Sequence, residues 1–307
     1  MSRIAFIFPG QGAQVCGMGQ DFYEQTETGK KIFDKASGLL GFSMPELCFE
    51  KNDRLDITEY TQAAMVTAGI AMMRVLEEKG IKPDVAAGLS LGEYCALAAA
   101  GVMSDEDAIC TVRQRGILMQ EAVPVGEGAM AAILALDAAA IEAVTGAMEG
   151  VWIANYNCPG QIVITGEKDA VEACGKKCLE AGARRVIPLQ VSGAFHSSLL
   201  KDAGKKLYKV LSAYELHPPK LPVLHNISAK TADRALIDLL SEQISHSVLL
   251  EDTIKQMLAD GVDTFIEVGP GKAVSGFVKK CAKGMDVKIL HVEDCASLAE
   301  TLDYMKG

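Results

Sequence analysis

Residues 85–101 read VAAGLSLGEYCALAAAG, an apolar run that breaks around Ser90 and resumes as an alanine-rich segment. A short apolar run closed by glycine suits a buried strand, and the residues that follow Gly92 are strong helix formers. Passing from strand to helix within so few residues demands a sharp turn, and Gly88 and Gly92, two residues to either side of Ser90, leave room for it. At such an elbow a strained backbone pushes the serine hydroxyl out of the fold. The free amides of the helix's first turn point back towards it. The stretch therefore supplies a candidate nucleophile and half of a site for developing negative charge, on a strand-to-helix unit of an α/β core.

A chain of 307 residues can bury a large core and hold one big domain, alone or with a smaller insert. Its net charge of −10, with no run of Lys or Arg, offers nucleic acid no basic footprint. The nine cysteines are scattered without a paired CxxC, which predicts free thiols in a reducing compartment rather than a disulfide frame. Cys174 and Cys178 share a helix face, but two ligands alone do not make a metal site. The apolar run within residues 1–9 is too short for a signal peptide, and no stretch reaches the about 18 apolar residues of a membrane helix. A cytoplasmic protein with no membrane partner is expected.

Residues 4–8 read as a buried strand ended by Pro9 and Gly10, followed by the glycine-rich loop FPGQGAQVCGMG. This is no dinucleotide loop, because the third glycine of GxGxxG would fall on Val15. Two glutamines in such a loop suit an amide donor turned towards a reaction centre. Helices are expected over residues 21–40 and 58–79. Ser104, followed by Asp105, Glu106 and Asp107, caps another that runs to about Val123. On that helix Arg113 and Arg115 flank the apolar stripe about equally, so periodicity does not choose between them. Residues 126–188 then read strand, helix, strand, strand, helix, strand. This is the βαββαβ order of a ferredoxin-like unit inserted into the larger domain. Asn157 opens the turn between its middle strands, and both Asn155 and Asn157 could face a cleft.

His196 is the candidate general base. It falls where a helix is expected to begin, and a helix N-terminus disfavours the imidazolium and keeps the ring able to accept a serine proton. The rest of the chain is α/β again, with strands expected at 221–225, 264–268 and 287–292. The segment EVGPGK between the last two lacks the spacing of a phosphate loop.

Taken together, FPGQGAQ, GLSLGEY, VRQRGILMQEAVP, NYNCPGQIVITG, SGAFHSSLL and EVGPGK resemble the malonyl-CoA:acyl carrier protein transacylases across essentially the whole chain. The resemblance is to the free-standing kind of type II fatty acid synthesis. It implies a hydrolase-like α/β catalytic subdomain over 1–125 and 190–307, with a mainly parallel sheet flanked by helices, and a ferredoxin-like subdomain over 126–189 as one wall of the cleft. It implies Ser90 as the acylated nucleophile, His196 as its base, and the backbone amides of Gln11 and Leu91 as the oxyanion hole. It also breaks the tie between the arginines: Arg115 matches the residue that grips the malonyl carboxylate. Phe195 resembles the malonyl-selecting pattern, and Asn157 joins the substrate-binding set. Two departures stand out. Leu89 replaces the histidine usual before the serine, and Ser247, Val248, Leu249 and Leu250 stand where relatives read PVQW. The carbonyl that orients the histidine is accordingly expected at Leu249. The family needs no cofactor or metal beyond its substrates, malonyl-CoA and holo acyl carrier protein, and a monomer is expected. A trans-acting polyketide acyltransferase and a serine thioesterase or hydrolase are the alternatives.

Overall fold

The computed structural model describes residues 2–124, 126–191 and 193–306. Its central sheet is parallel, with strands β1 (Ile4–Phe8), β2 (Val85–Gly88), β8 (Thr264–Val268) and β9 (Lys288–Val292) in the order β2-β1-β8-β9. Alternate side chains of β1 serve opposite faces. Phe6 and Phe8 join one apolar cluster, and Ala5 and Ile7 join another with Phe265 and Val278. A sheet covered on both faces has continuous apolar strands, which is how IAFIF and VAAG read.

The face bearing Phe6 and Phe8 is covered by helices, among them Thr58–Glu78, which is apolar nearly all round and buried along most of its length. Against it lies the helix Asp105–Ala122, capped by the Ser104 hydroxyl, which accepts from the Asp107 N–H at 3.0 Å. The two backbones meet at Gly116, where an added Cβ would stand 2.7 Å from the Glu59 Cα. That close approach brings the residue before it, Arg115, against the buried helix.

The second sheet has the order β6-β3-β5-β4-β7, made by β3 (Gly128–Leu134), β4 (Val151–Cys158), β5 (Gln161–Glu167), β6 (Arg185–Pro188) and β7 (Val248–Leu249). Strands β3 to β6 pair antiparallel, with helices Ala138–Gly146 and Lys168–Glu180 following β3 and β5. They enclose a separate core of Ile133, Ile141, Ile164, Cys174 and Cys178. The short strand β7 joins parallel to β4, so a segment of the larger part enters the smaller sheet.

Several expectations need correction. The helix expected over 21–40 is two helices, Gln20–Gln25 and Glu27–Leu40. Thr26 turns extended between them, and its hydroxyl caps the second by accepting from Gly29 N–H. A further helix, Met44–Phe49, opens on the Ser43 cap. The strand expected over 221–225 is a single bridge, Val223 to Ala86. Pro222 has no N–H to extend the ladder, though its carbonyl accepts from Ala86. Of the two short linkers around the smaller unit, Val125 and Ser192 lie outside the described residues. No helix among the described residues is long and apolar enough to cross a membrane.

Candidate active site

The elbow after β2 is as tight as its sequence suggests. A Cβ on Gly88 would stand 2.0 Å from the Gly92 carbonyl carbon, so only glycine lets the strand fold back on the helix Gly92–Ala99. Ser90 sits between them at φ 52°, and His196 is also left-handed, at φ 60°. For residues with a Cβ this conformation is uncommon and persists only where neighbours hold it, which is a mark of functional positions. Ser90 is held by Asn226, whose Oδ1 accepts from Ser90 N–H at 2.6 Å and whose Nδ2 donates to the Gly88 carbonyl at 2.7 Å.

His196 lies 106 residues further along the chain, yet its Nε2 is 2.7 Å from Ser90 Oγ. Its Nδ1 faces two carbonyls, Gln243 at 2.9 Å and His246 at 3.1 Å. Carbonyl oxygens only accept, so Nδ1 carries the proton and the Nε2 lone pair is turned to the serine hydroxyl. The ring's pKa is pushed down to about 4, first by burial and then by the nearby Arg115 charge, against the two carbonyl hydrogen bonds that raise it. The expected cause was different. Helix begins only at Ser198, beyond His196, so burial rather than a helix terminus keeps the ring neutral. The expected orienting carbonyl is likewise corrected. Leu249 lies in β7, where its N–H donates to the Asn226 carbonyl and its own carbonyl accepts from Thr253. Gln243 and His246 take the place assigned to it.

Arg115, not Arg113, enters this site. It is 1% exposed and donates through Nη1 to Gln62 Oε1 (2.8 Å) and through Nη2 to both Gln243 Oε1 (3.0 Å) and Ser90 Oγ (3.0 Å). Burial pulls its pKa below the ordinary value, with Tyr94 and Glu93 opposing that shift. Arg113 turns the other way, to Glu59 and the rings of Tyr60 and Phe42. The loop after β1 reaches the same centre, since a Cβ on Gly10 would stand 2.6 Å from the Leu89 carbonyl oxygen. Gln11 lies in that loop, with its side chain between Thr58 and Gln62, whereas Gln14 turns to Gly12 N–H and Asp56. Phe195 is buried beside His196. Asn157 is buried in β4, and its Oδ1 has no partner among the described residues.

Four residues of the site went unread in the sequence: Gln62, Glu93, Asn226 and Gln243, all at most 1% exposed. A signal existed for two of them. Gln62 is a polar residue directly before the apolar run of helix Thr58–Glu78, and Glu93 is the one carboxylate of helix Gly92–Ala99. Buried polar side chains of this kind require partners.

A hydroxyl on a strained elbow, touched at once by a neutral imidazole and a buried guanidinium, defines an acyl-transferring serine enzyme. The acyl transferase domain family matches residues 5–298. The chain is 46% identical to the malonyl CoA-acyl carrier protein transacylase of Bacillus subtilis (strain 168), over 100% of this chain and 98% of that protein. It superposes with a TM-score of 0.95 on the malonyl CoA-acyl carrier protein transacylase of Clostridium perfringens, at 41% identity and covering 99% and 98% of the two chains. A malonyl-transacylase solved in complex with its type II PKS acyl-carrier protein gives a TM-score of 0.95 at 39% identity, covering 99% of this chain and 100% of that one. The chain belongs to the malonyl CoA-acyl carrier protein transacylase family.

Proposed function

We propose that this enzyme transfers the malonyl group from malonyl-CoA to the phosphopantetheine thiol of acyl carrier protein, supplying extender units for fatty acid synthesis in the cytoplasm. In the first half-reaction His196 Nε2 takes the Ser90 proton, Oγ bonds to the thioester carbon, and the carbon–sulfur bond breaks. Coenzyme A then leaves with the proton from the imidazolium. In the second, the carrier thiol gives its proton to His196 and attacks the malonyl ester, and Ser90 recovers its proton as it departs. Backbone amides of Gln11 and Leu91 stabilise the oxyanion in both halves.

The observation that carries this reading is the Arg115 guanidinium 3.0 Å from the Ser90 hydroxyl. A malonyl ester on Ser90 places its free carboxylate only a few bonds from that oxygen. A planar fork of donors matches a carboxylate there, and an uncharged acyl group cannot use it equally. The same feature disfavours a hydrolase of neutral esters. Phe195 narrows the pocket for malonyl over bulkier acyl groups, and Asn157 belongs to the substrate-binding set. The unit over 126–189 is a ferredoxin-like subdomain walling the cleft; its βαββαβ order and antiparallel β6-β3-β5-β4 arrangement support this. The hydrolase-like catalytic subdomain comprises 1–125 and 190–307. The relative solved with its acyl-carrier protein supports a carrier as second substrate. Exposed Lys201, Lys205, Lys206 and Lys209 on the helix Lys201–Leu211, five residues beyond His196, form its docking patch.

The test is intact-protein mass spectrometry after brief mixing with malonyl-CoA, with peptide mapping of any adduct. A malonyl adduct on Ser90 that holo carrier protein discharges is expected, and Ser90→Ala should form none. Steady release of free malonate without an adduct would favour hydrolysis instead.

A further inference from the structure

Glu93 is a carboxylate 1% exposed, on the helix that follows the nucleophile elbow. Holding a charge there costs several kcal/mol unless every lone pair finds a donor. Its partners are unusual in where they lead. Oε1 meets His225 Nδ1 at 2.7 Å, while Oε2 accepts from Asn226 N–H at 3.1 Å and from Gln243 Nε2 at 2.7 Å. Asn226 is the residue whose side chain grips both Ser90 N–H and the Gly88 carbonyl. Gln243 touches Ser90, Arg115 and His196 at once. Its Nε2 donates to the Ser90 carbonyl at 3.0 Å, its Oε1 accepts from Arg115 Nη2, and its main-chain carbonyl orients His196 Nδ1.

From this convergence we infer that Glu93 is the positioning residue of the transferase site: it pins residues 226 and 243 to the elbow, and through them fixes nucleophile, base and carboxylate grip in one register. The inference rests on the proposed transfer and adds what aligns its parts. Glu93 lies three residues after Ser90, on the helix that the elbow begins, so the anchor moves with the nucleophile. Residues 225–226 follow the single bridge that ties Val223 to Ala86, and residue 243 ends the helix Leu236–Gln243 in a separate part of the chain. The Glu93 carboxylate joins both to the elbow helix, Oε1 against His225 Nδ1 and Oε2 accepting from Asn226 N–H and Gln243 Nε2. A merely structural acid at the first turn of a helix would serve the helix dipole equally well from a solvent-facing position.

The test compares Glu93→Met, which keeps length and removes both acceptors, with Glu93→Gln, whose amide oxygen can still accept from Asn226 and Gln243. Single-turnover acylation is followed with malonyl-CoA and acetyl-CoA, with thermal unfolding as the check on folding. Glu93→Met should slow malonyl acylation by roughly a hundredfold through the rate constant rather than KM, the scale of a small misplacement of reacting groups. It should also erode the preference for malonyl over acetyl, because Arg115 loses its register. Glu93→Gln should restore most of both. Should Glu93→Met fail to fold, Gln243→Met tests the same link, since it removes the side-chain contacts to Glu93, Ser90 and Arg115 and keeps the main-chain carbonyl. It should lower the malonyl preference about tenfold. A folded Glu93→Met or Gln243→Met with a lower melting temperature but unchanged rate and preference would overturn the inference. So would a folded Glu93→Gln as impaired as Glu93→Met. Failure of the unaltered protein to acylate Ser90 would instead count against the transfer itself.

Discussion

Arg115 and His196 are partners of one hydroxyl, and their charges answer to different measurements. On the proposed reading Arg115 grips the malonyl carboxylate through charge-assisted hydrogen bonds, each worth about 1.5–3 kcal/mol, so Arg115→Ala should cut the malonyl-over-acetyl preference by tenfold to roughly a hundredfold. Competition between the two donors in a single-turnover assay measures this, and an unchanged ratio would place selection elsewhere. His196 acts as base only when neutral. Its pKa of about 4 lies below the ordinary 6.5, so the ring stays neutral as pH falls from 7 towards 5 and protonates only near 4. The kcat/KM for acylation should therefore hold across that window and fall about tenfold per unit below the limb. An acid limb near 6.5 would show that the ring is not desolvated as the structure has it. Ser90 was legible in the sequence because a glycine-flanked elbow marks it, whereas His196 was picked out by an expected helix start that the structure places two residues later, at Ser198. Periodicity alone left Arg113 and Arg115 equal, and family resemblance chose the one that burial and Ser90 later single out. Asn226 and Gln243 were not legible, because their roles exist only through contacts 136 and 153 residues away from Ser90.

Among elements, the helix Asp105–Ala122 presents Arg115 from a position far from either end, and its start is fixed by Ser104. Ser104→Ala removes the acceptor for Asp107 N–H and should cost about 1 kcal/mol, read as a lower urea midpoint at unchanged slope. Its malonyl preference should stay as it was, since Gly116 and the buried helix partner hold Arg115 in place; a changed preference would mean that the helix shifts as a body. That cap was visible as Ser-Asp-Glu-Asp. The break at Thr26 was not foreseen, because the apolar pattern continues through it while the threonine hydroxyl turns to Phe22 and Gly29. The strand expected at 221–225 failed for want of pairing partners rather than apolar content. The misplacement of the orienting carbonyl at Leu249 has the same origin. An alignment with PVQW says which residue is matched, but β7 commits that backbone to Asn226 and to the small sheet. The chain's entry into that strand is what leaves the carbonyls of Gln243 and His246 facing the imidazole.

At the scale of the molecule, a net charge of −10 sets a problem for the proposed transfer, because the family resemblance implies an acidic carrier protein as second substrate. Like charges lower the rate of encounter unless a local patch of opposite sign faces the approach. The helix Lys201–Leu211 offers one: Lys201, Lys206 and Lys209 are exposed, while Lys205 is tied to Asp202 at 2.7 Å. That helix follows directly from the segment bearing His196, so a carrier docked on it would have its phosphopantetheine arm beside the acylated serine. Reversing Lys201, Lys206 and Lys209 to Glu should raise KM for the carrier protein several-fold and invert its dependence on salt, which screens exposed charges over about 8 Å at physiological ionic strength and would then relieve repulsion. Acylation by malonyl-CoA should be unaffected, because that half-reaction needs no carrier. The two half-reactions therefore separate the outcomes. Loss confined to discharge of the malonyl ester marks the helix as the docking surface. Rates for both halves unchanged from the unaltered protein would leave its lysines as solvated charge and move the carrier's approach to another face of the cleft.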